Sequence, residues 1–210
     1  FGVVSTNALH SLSPVMHNAA FEAAGIDAVY VPLPVHGFGG FLSFAEEMAL
    51  EGVSVTIPFK LDALRVAASS DALTQQVGAA NTLRRSDAGW EATNTDVEGF
   101  LQPLGPAWDG SMDGVRASVL GAGGAARAVI VALASKGAQV TVHARRDEQA
   151  QELASSFNVG AGAYPPESGS WDVLVNCTPL GGASRRSESP LRSHSVTRRL
   201  DFDPTDGAAR

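Results

Sequence analysis

Apolar and polar residues alternate at 53–57, where Val53, Val55 and Ile57 are separated by Ser54 and Thr56. A period of two marks a strand with one buried face. Pro58 offers no N–H to a sheet ladder, so the strand is predicted to span 52–57 and to end there. Upstream, the pattern predicts a strand at 1–4, a turn at 5–10 and a helix at 15–24. Ser13 is expected as the N-cap of that helix, Pro14 in its first turn and Gly25 as its stop. A strand at 28–31 and a helix at 38–50 follow. Strand, helix, strand, helix, strand is the repeat that builds a parallel sheet. Beyond it lie a helical stretch at 61–73, two strands at 78–83 and 90–93 around a turn at 86–89, and a helix at 97–104.

The periodicity then breaks. Residues 105–114 are rich in Gly, Pro and Asp and read as a linker. A strand at 116–120, a glycine turn, a helix at 128–136, a strand at 139–143, a helix at 147–157 and a strand at 172–175 restore the alternation. The expectation is two α/β domains, 1–104 with a mainly parallel sheet and 105–210 of Rossmann type. From about Gly182 the text turns to Ser and Arg, with Arg185, Arg186, Arg192, Arg198 and Arg199, and 201–210 matches no element. The chain opens within its first strand, which leads us to expect residues before Phe1.

Composition narrows the function classes. Hydrophobic residues are 44% and charged residues 18% of the 210, enough for packed cores and unlike a disordered chain. Lys and Arg number 15 against 22 Asp and Glu, a formal net charge of −7. That balance argues against a nucleic-acid binder. No apolar run is long enough to span a bilayer. A single cysteine, Cys177, forms no internal disulfide and fits a reducing compartment such as the cytoplasm.

The strongest local motif is Gly121-Ala122-Gly123-Gly124-Ala125-Ala126. It fits G-x-G-x-x-G/A, follows a predicted strand and opens a predicted helix, as a dinucleotide-binding turn must. Helix N–H groups and the dipole there favour phosphate. At the end of the next strand NAD-binding folds carry an acidic residue; here the text is His143-Ala144-Arg145-Arg146. Two guanidiniums suit the 2′-phosphate of NADP, with Asp147 close by. In the first domain, Thr56 and Lys60 fall at and just past a strand end, where open sheets collect ligands. Lys60 and Asp96 supply an amine and a carboxylate for proton transfer, either as the acid–base itself or as a charged pair. Ser11 and Ser13 could hold a carboxylate or simply cap a helix, and Asn81 could bond a substrate hydroxyl or stabilise a turn. The five histidines show no metal-ligand spacing, Cys177 has no partner for zinc, and there is no serine-hydrolase elbow.

Six blocks together resemble the shikimate dehydrogenase family. They are His10-Ser11-Leu12-Ser13-Pro14-Val15-Met16-His17-Asn18, Val55-Thr56-Ile57-Pro58-Phe59-Lys60, Gly78-Ala79-Ala80-Asn81-Thr82, Asn94-Thr95-Asp96-Val97-Glu98-Gly99, Gly121-Ala122-Gly123-Gly124-Ala125 and Asn176-Cys177-Thr178-Pro179-Leu180-Gly181. The resemblance implies NADP-dependent reduction of 3-dehydroshikimate to shikimate, on the route to chorismate and the aromatic amino acids. It implies an N-terminal substrate domain, a Rossmann-type domain and a cleft between them, in a monomer or homodimer acting on a small molecule. Position by position, Ser11 and Ser13 would bind the substrate carboxylate. Thr56 and Asn81 would address its hydroxyls, with Lys60 and Asp96 as the catalytic pair. Gly121, Ala122, Gly123, Gly124 and Ala125 would hold the pyrophosphate, Arg145 and Arg146 the 2′-phosphate, and Thr178 would border the nicotinamide.

The chain departs from the family pattern in three places. Ser5-Thr6-Asn7 stands where Gly-x-Pro is usual, and Ala144-Arg145-Arg146 keeps only the central arginine of Asn-Arg-Thr. The usual ending, with a substrate glutamine, has no counterpart in 200–210. This leads us to expect a chain short of the usual C-terminal segment, through truncation or a change of reading frame. The alternatives are a shikimate- or quinate-binding homologue without turnover, and a quinate/shikimate dehydrogenase.

Overall fold

The computed structural model describes residues 1–108, 111–182 and 185–191 in full, and 201–203 and 208–209 as backbone. The chain divides into two compact units, Phe1–Thr95 and Asp96–Arg210.

In the first unit, β1 (Gly2–Ser5) leads through a 3-10 turn (Ala8–His10) to α1 (Ser13–Ala24). Then come β2 (Val31–Pro34), α2 (Phe38–Glu47), β3 (Gly52–Val55), α3 (Lys60–Val66), β4 (Ser69–Ser70), α4 (Ala72–Val77) and the hairpin β5 (Thr82–Ser86) and β6 (Gly89–Thr93). The sheet order is β2-β1-β3-β5-β6-β4. β1 runs parallel to β2 and β3, β5 is antiparallel to both β3 and β6, and β4 is parallel to β6. Val4 packs with α2 through Phe38 and Phe41, while its neighbour Val3 packs with Tyr30 and Phe21 of α1. Successive strand residues face opposite ways, so the two helices cover opposite faces.

Several expectations shift here, each for a local reason. β2 begins at Val31 rather than 28, because Asn18 takes both backbone groups of Tyr30: its Oδ1 accepts from Tyr30 N (2.7 Å) and its Nδ2 donates to Tyr30 O (2.8 Å). Pro32 and Pro34 are tolerated because β2 is an edge strand. β3 stops at Val55, and Phe59 N donates to Thr56 O (3.0 Å), so Ile57 lies in a turn and is 61% exposed rather than in the core. The single helix expected at 61–73 is two helices. Asp71 caps α4 by accepting from Thr74 N at 2.7 Å, and that cap outweighs the helix propensity of the Ala- and Leu-rich text. Ser13 is the first residue of α1 and caps nothing; its N–H goes to Ser11 Oγ (3.2 Å), so the turn-closing hydroxyl is Ser11.

The second unit opens with α5 (Asp96–Ala107), which continues through Pro103 and Pro106 into the stretch read as a linker. Val97, Phe100 and Leu104 form a buried stripe, and the helix packs along α6, so the division falls before α5 rather than after 104. Next come β7 (Arg116–Leu120), α6 (Gly124–Ser135), β8 (Gln139–His143), α7 (Asp147–Phe157), β9 (Gly160–Gly162), β10 (Val173–Asn176), β11 (Asp201–Asp203) and β12 (Ala208–Ala209). α6 starts four residues earlier than expected, directly on the glycine turn. β9 is an addition to the expected elements, its three residues Gly160, Ala161 and Gly162 carrying no strand signature. β11 runs parallel to β10 and pairs antiparallel with β12, correcting the expectation of no element in 201–210. Arg185 pairs with Glu188; Arg192, Arg198 and Arg199 lie outside the described residues. The order β9-β8-β7-β10-β11-β12 is the Rossmann order, with its reversal between β7 and β10.

Candidate active site

β1 and β3 are parallel, so their carboxyl ends meet at one edge of the first sheet. Past β1 come Ser11 and Ser13, both half-buried at the start of α1. Past β3 come Thr56 and Lys60, also half-buried, with Lys60 opening α3. The segment 79–81 is stitched to both sides of this edge. Ala80 N donates to Lys60 O (2.8 Å), Val55 N to Asn81 O (2.6 Å) and Asn81 N to Thr93 O (3.1 Å). The Asn81 side chain works inside the protein: Oδ1 accepts from Thr95 N (3.0 Å) and Thr82 Oγ1 (3.1 Å), while Nδ2 donates to Thr95 Oγ1 (2.8 Å). Thr56, Lys60 and Asn81 are thus gathered at one edge by backbone bonds. Asp96, half-buried, is the next residue after Thr95 and the first of α5.

The second unit builds its site at the strand reversal. Gly121 follows β7 with φ +109°, and a Cβ there would stand 2.9 Å from Cys177 O. Only glycine permits both the backbone angle and that approach. Gly121 N donates to His143 O (2.8 Å), tying the turn to the end of β8. Gly123 is the N-cap of α6 and opens on empty space, with nothing within 4 Å of a Cβ built on it. Gly124 and Ala125 form the first turn, and Ala126 is fully buried against the sheet. A bare helix N-terminus with room before it suits a pyrophosphate, so these residues fit a dinucleotide.

Arg145 and Arg146 are exposed just past β8, and Arg146 Nε donates to Gln149 Oε1 (2.9 Å). Burial raises the Tyr164 hydroxyl pKa, and the Arg145 charge draws it part of the way back. The loop after β10 is folded by Asn176. Its Oδ1 accepts from Thr178 N (3.0 Å) and Thr178 Oγ1 (2.6 Å), and its Nδ2 donates to Leu180 O (2.8 Å). His143 is buried, with Nδ1 donating to Ala163 O (2.8 Å), so Nε2 accepts from Ser118 Oγ (3.1 Å) in the neutral ring. Burial pushes its pKa down, partly offset by backbone bonds to Ala163 and Gly162.

Asn94 and Asn176 have no role in the sequence reading. Both lie inside quoted motifs, and both are buried asparagines, which need partners.

A family profile described as the shikimate dehydrogenase substrate binding domain matches residues 3–83. The shikimate dehydrogenase (NADP(+)) of Ignicoccus hospitalis is 42% identical over 185 residues, covering 86% of this chain and 69% of that protein. The chain belongs to the shikimate dehydrogenase family. Among solved members of the shikimate dehydrogenase family, the Aquifex aeolicus enzyme superposes with a TM-score of 0.87 at 30% identity, covering 96% of this chain and 77% of that one. The Thermus thermophilus enzyme, solved with NADP(H) and shikimate, gives 0.77 at 36% identity over 91% and 72%. The α/β architecture, with a mainly parallel first sheet and a Rossmann-type second unit, is that of the family.

Proposed function

We propose that this chain interconverts 3-dehydroshikimate and shikimate with NADP(H), a step in aromatic amino-acid biosynthesis. The unit Phe1–Thr95 binds substrate and the unit Asp96–Arg210 binds NADP. The observation that carries the reading is that the segments bearing Thr56, Lys60 and Asn81 are joined at one sheet edge, by Val55 N to Asn81 O and Ala80 N to Lys60 O, within the stretch the family profile matches. Ser11 and Ser13 hold the substrate carboxylate. With the Ser13 N–H on its oxygen, the Ser11 hydroxyl has its proton to give to an anion. Thr56 and Asn81 address the ring hydroxyls. Bound NADPH supplies the hydride to the ring carbonyl. Lys60 and Asp96 deliver the proton to the developing alkoxide and take it back in the reverse direction.

Gly121, Ala122, Gly123, Gly124 and Ala125 cradle the pyrophosphate, Thr178 borders the nicotinamide, and Arg145 with Arg146 selects the 2′-phosphate. No described helix is long and apolar enough to cross a membrane, and we place the reaction in the cytoplasm. The test is Lys60→Ala. Its kcat is expected to fall by on the order of 10²–10⁴ while the NADP Kd stays within about twofold, by calorimetry. An equal collapse of nucleotide binding would sink the assignment of Lys60 to substrate chemistry. Shikimate binding without turnover in the unsubstituted protein would favour the non-catalytic reading, and faster turnover of quinate would move the substrate.

A further inference from the structure

The residue that ties this edge together is one to which the proposed reaction gives no part. Asn94 is 5% exposed, and its Nδ2 donates to Ala79 O at 2.8 Å across fifteen residues of chain. The carbonyl of Ala79 and the N–H of Ala80 are the two edges of one planar peptide group. Ala80 N donates to Lys60 O at 2.8 Å, so Asn94 and the Lys60 backbone grip the same plate from opposite sides. Ala79 and Ala80 are fully buried, leaving the plate no solvent to turn towards. The next residue is Asn81, whose side chain clasps Thr95 while Asn94, beside Thr95, clasps Ala79. The two asparagines therefore bond reciprocally between 79–81 and 94–95.

We infer that Asn94 is a positioning residue: through the 79–80 peptide it sets the backbone of Lys60 and the side chain of Asn81 for the substrate. The inference rests on the function proposed above. Removing the amide donor leaves the Ala79 carbonyl facing a gap, and the plate relaxes by rotating. Both Lys60 and Asn81 then move, and a shift of about 1 Å at a reacting group can cost on the order of a hundredfold in rate.

The test is Asn94→Ala, assayed well below its melting temperature with NADP and shikimate varied separately. The kcat/KM for shikimate should fall by about ten- to a hundredfold, with the NADP Kd unchanged. Asn94→Asp keeps the side chain's shape, loses the donor and should do the same, which covers poor folding of the alanine variant. Asp172→Ala removes the Arg116 ion pair of the other unit. It should lower the melting temperature and leave the shikimate kcat/KM alone, as a merely structural loss does. An Asn94 variant that melts earlier yet keeps the shikimate kcat/KM within twofold of the original overturns the inference. So does an equal loss of NADP affinity. A parent protein that neither binds nor turns over shikimate overturns instead the function beneath it.

Discussion

Two glycines two residues apart are expected to fail in different ways when each becomes alanine. Gly121→Ala places a Cβ on a residue at φ +109° and 2.9 Å from Cys177 O. The backbone strain costs about 1–3 kcal/mol, and forcing the turn and the Cys177 loop apart adds about 1–3 kcal/mol. Roughly 2–6 kcal/mol in total, at about 2–4 °C per kcal/mol for a chain of this size, lowers the melting temperature by roughly 4–24 °C. Gly123→Ala meets no atom within 4 Å, and its extended φ of −92° suits any residue. Its cost is the weak cap preference of alanine, on the order of 1 kcal/mol or less. Its Cβ nevertheless occupies the space before the α6 amides where the pyrophosphate is placed. NADP affinity should therefore drop by about tenfold or more with little loss of stability, each tenfold step being about 1.4 kcal/mol. Calorimetric scanning and NADP titration of the two variants read both effects. Gly121→Ala melting with the original protein would refute the close approach to Cys177. Unchanged NADP affinity in Gly123→Ala would refute the placing of the pyrophosphate.

Replacing Arg145 and Arg146 together with alanine should cost roughly 1.5–3 kcal/mol per charged bond lost. The NADP-over-NAD ratio of kcat/KM should fall by at least tenfold, and a ratio that stays put would show that specificity is read elsewhere. His143 gives a pH dependence. Its folded pKa lies below the unfolded value of about 6.5, so the unfolded chain binds more protons just below that pH. Its contribution is complete above about pH 6.5 and is lost as the pH falls towards the folded pKa, by at most about 1.4 kcal/mol per pH unit. Urea unfolding at pH 7.5 and 5.5 should show this loss in the original protein and a smaller one in His143→Gln; equal losses would rule His143 out as the source.

The parts legible in the sequence are those whose causes are local. β7, β8 and α7 lie where alternation and the flanking Gly and Asp place them. The glycine turn is readable because strand, turn and helix follow one another without a break. What the sequence hides depends on distant partners. β2 starts late because Asn18 captures Tyr30, twelve residues away. α5 passes two prolines because its apolar stripe finds α6. Asn94 carries no role in the sequence, because its partner, the Ala79 carbonyl, lies fifteen residues away. Thr56, Lys60 and Asn81 are each visible in a motif, but the backbone bonds joining their segments are not.

The most direct test of the account is the initial rate of NADPH oxidation when 3-dehydroshikimate is added to the purified protein, read by absorbance beside the same assay with NADH. Substrate-dependent oxidation is predicted at a kcat on the order of 1–10³ s⁻¹, faster with NADPH, and lowered by on the order of 10²–10⁴ in Lys60→Ala. A rate at background with both cofactors, in protein that binds NADP, would contradict it.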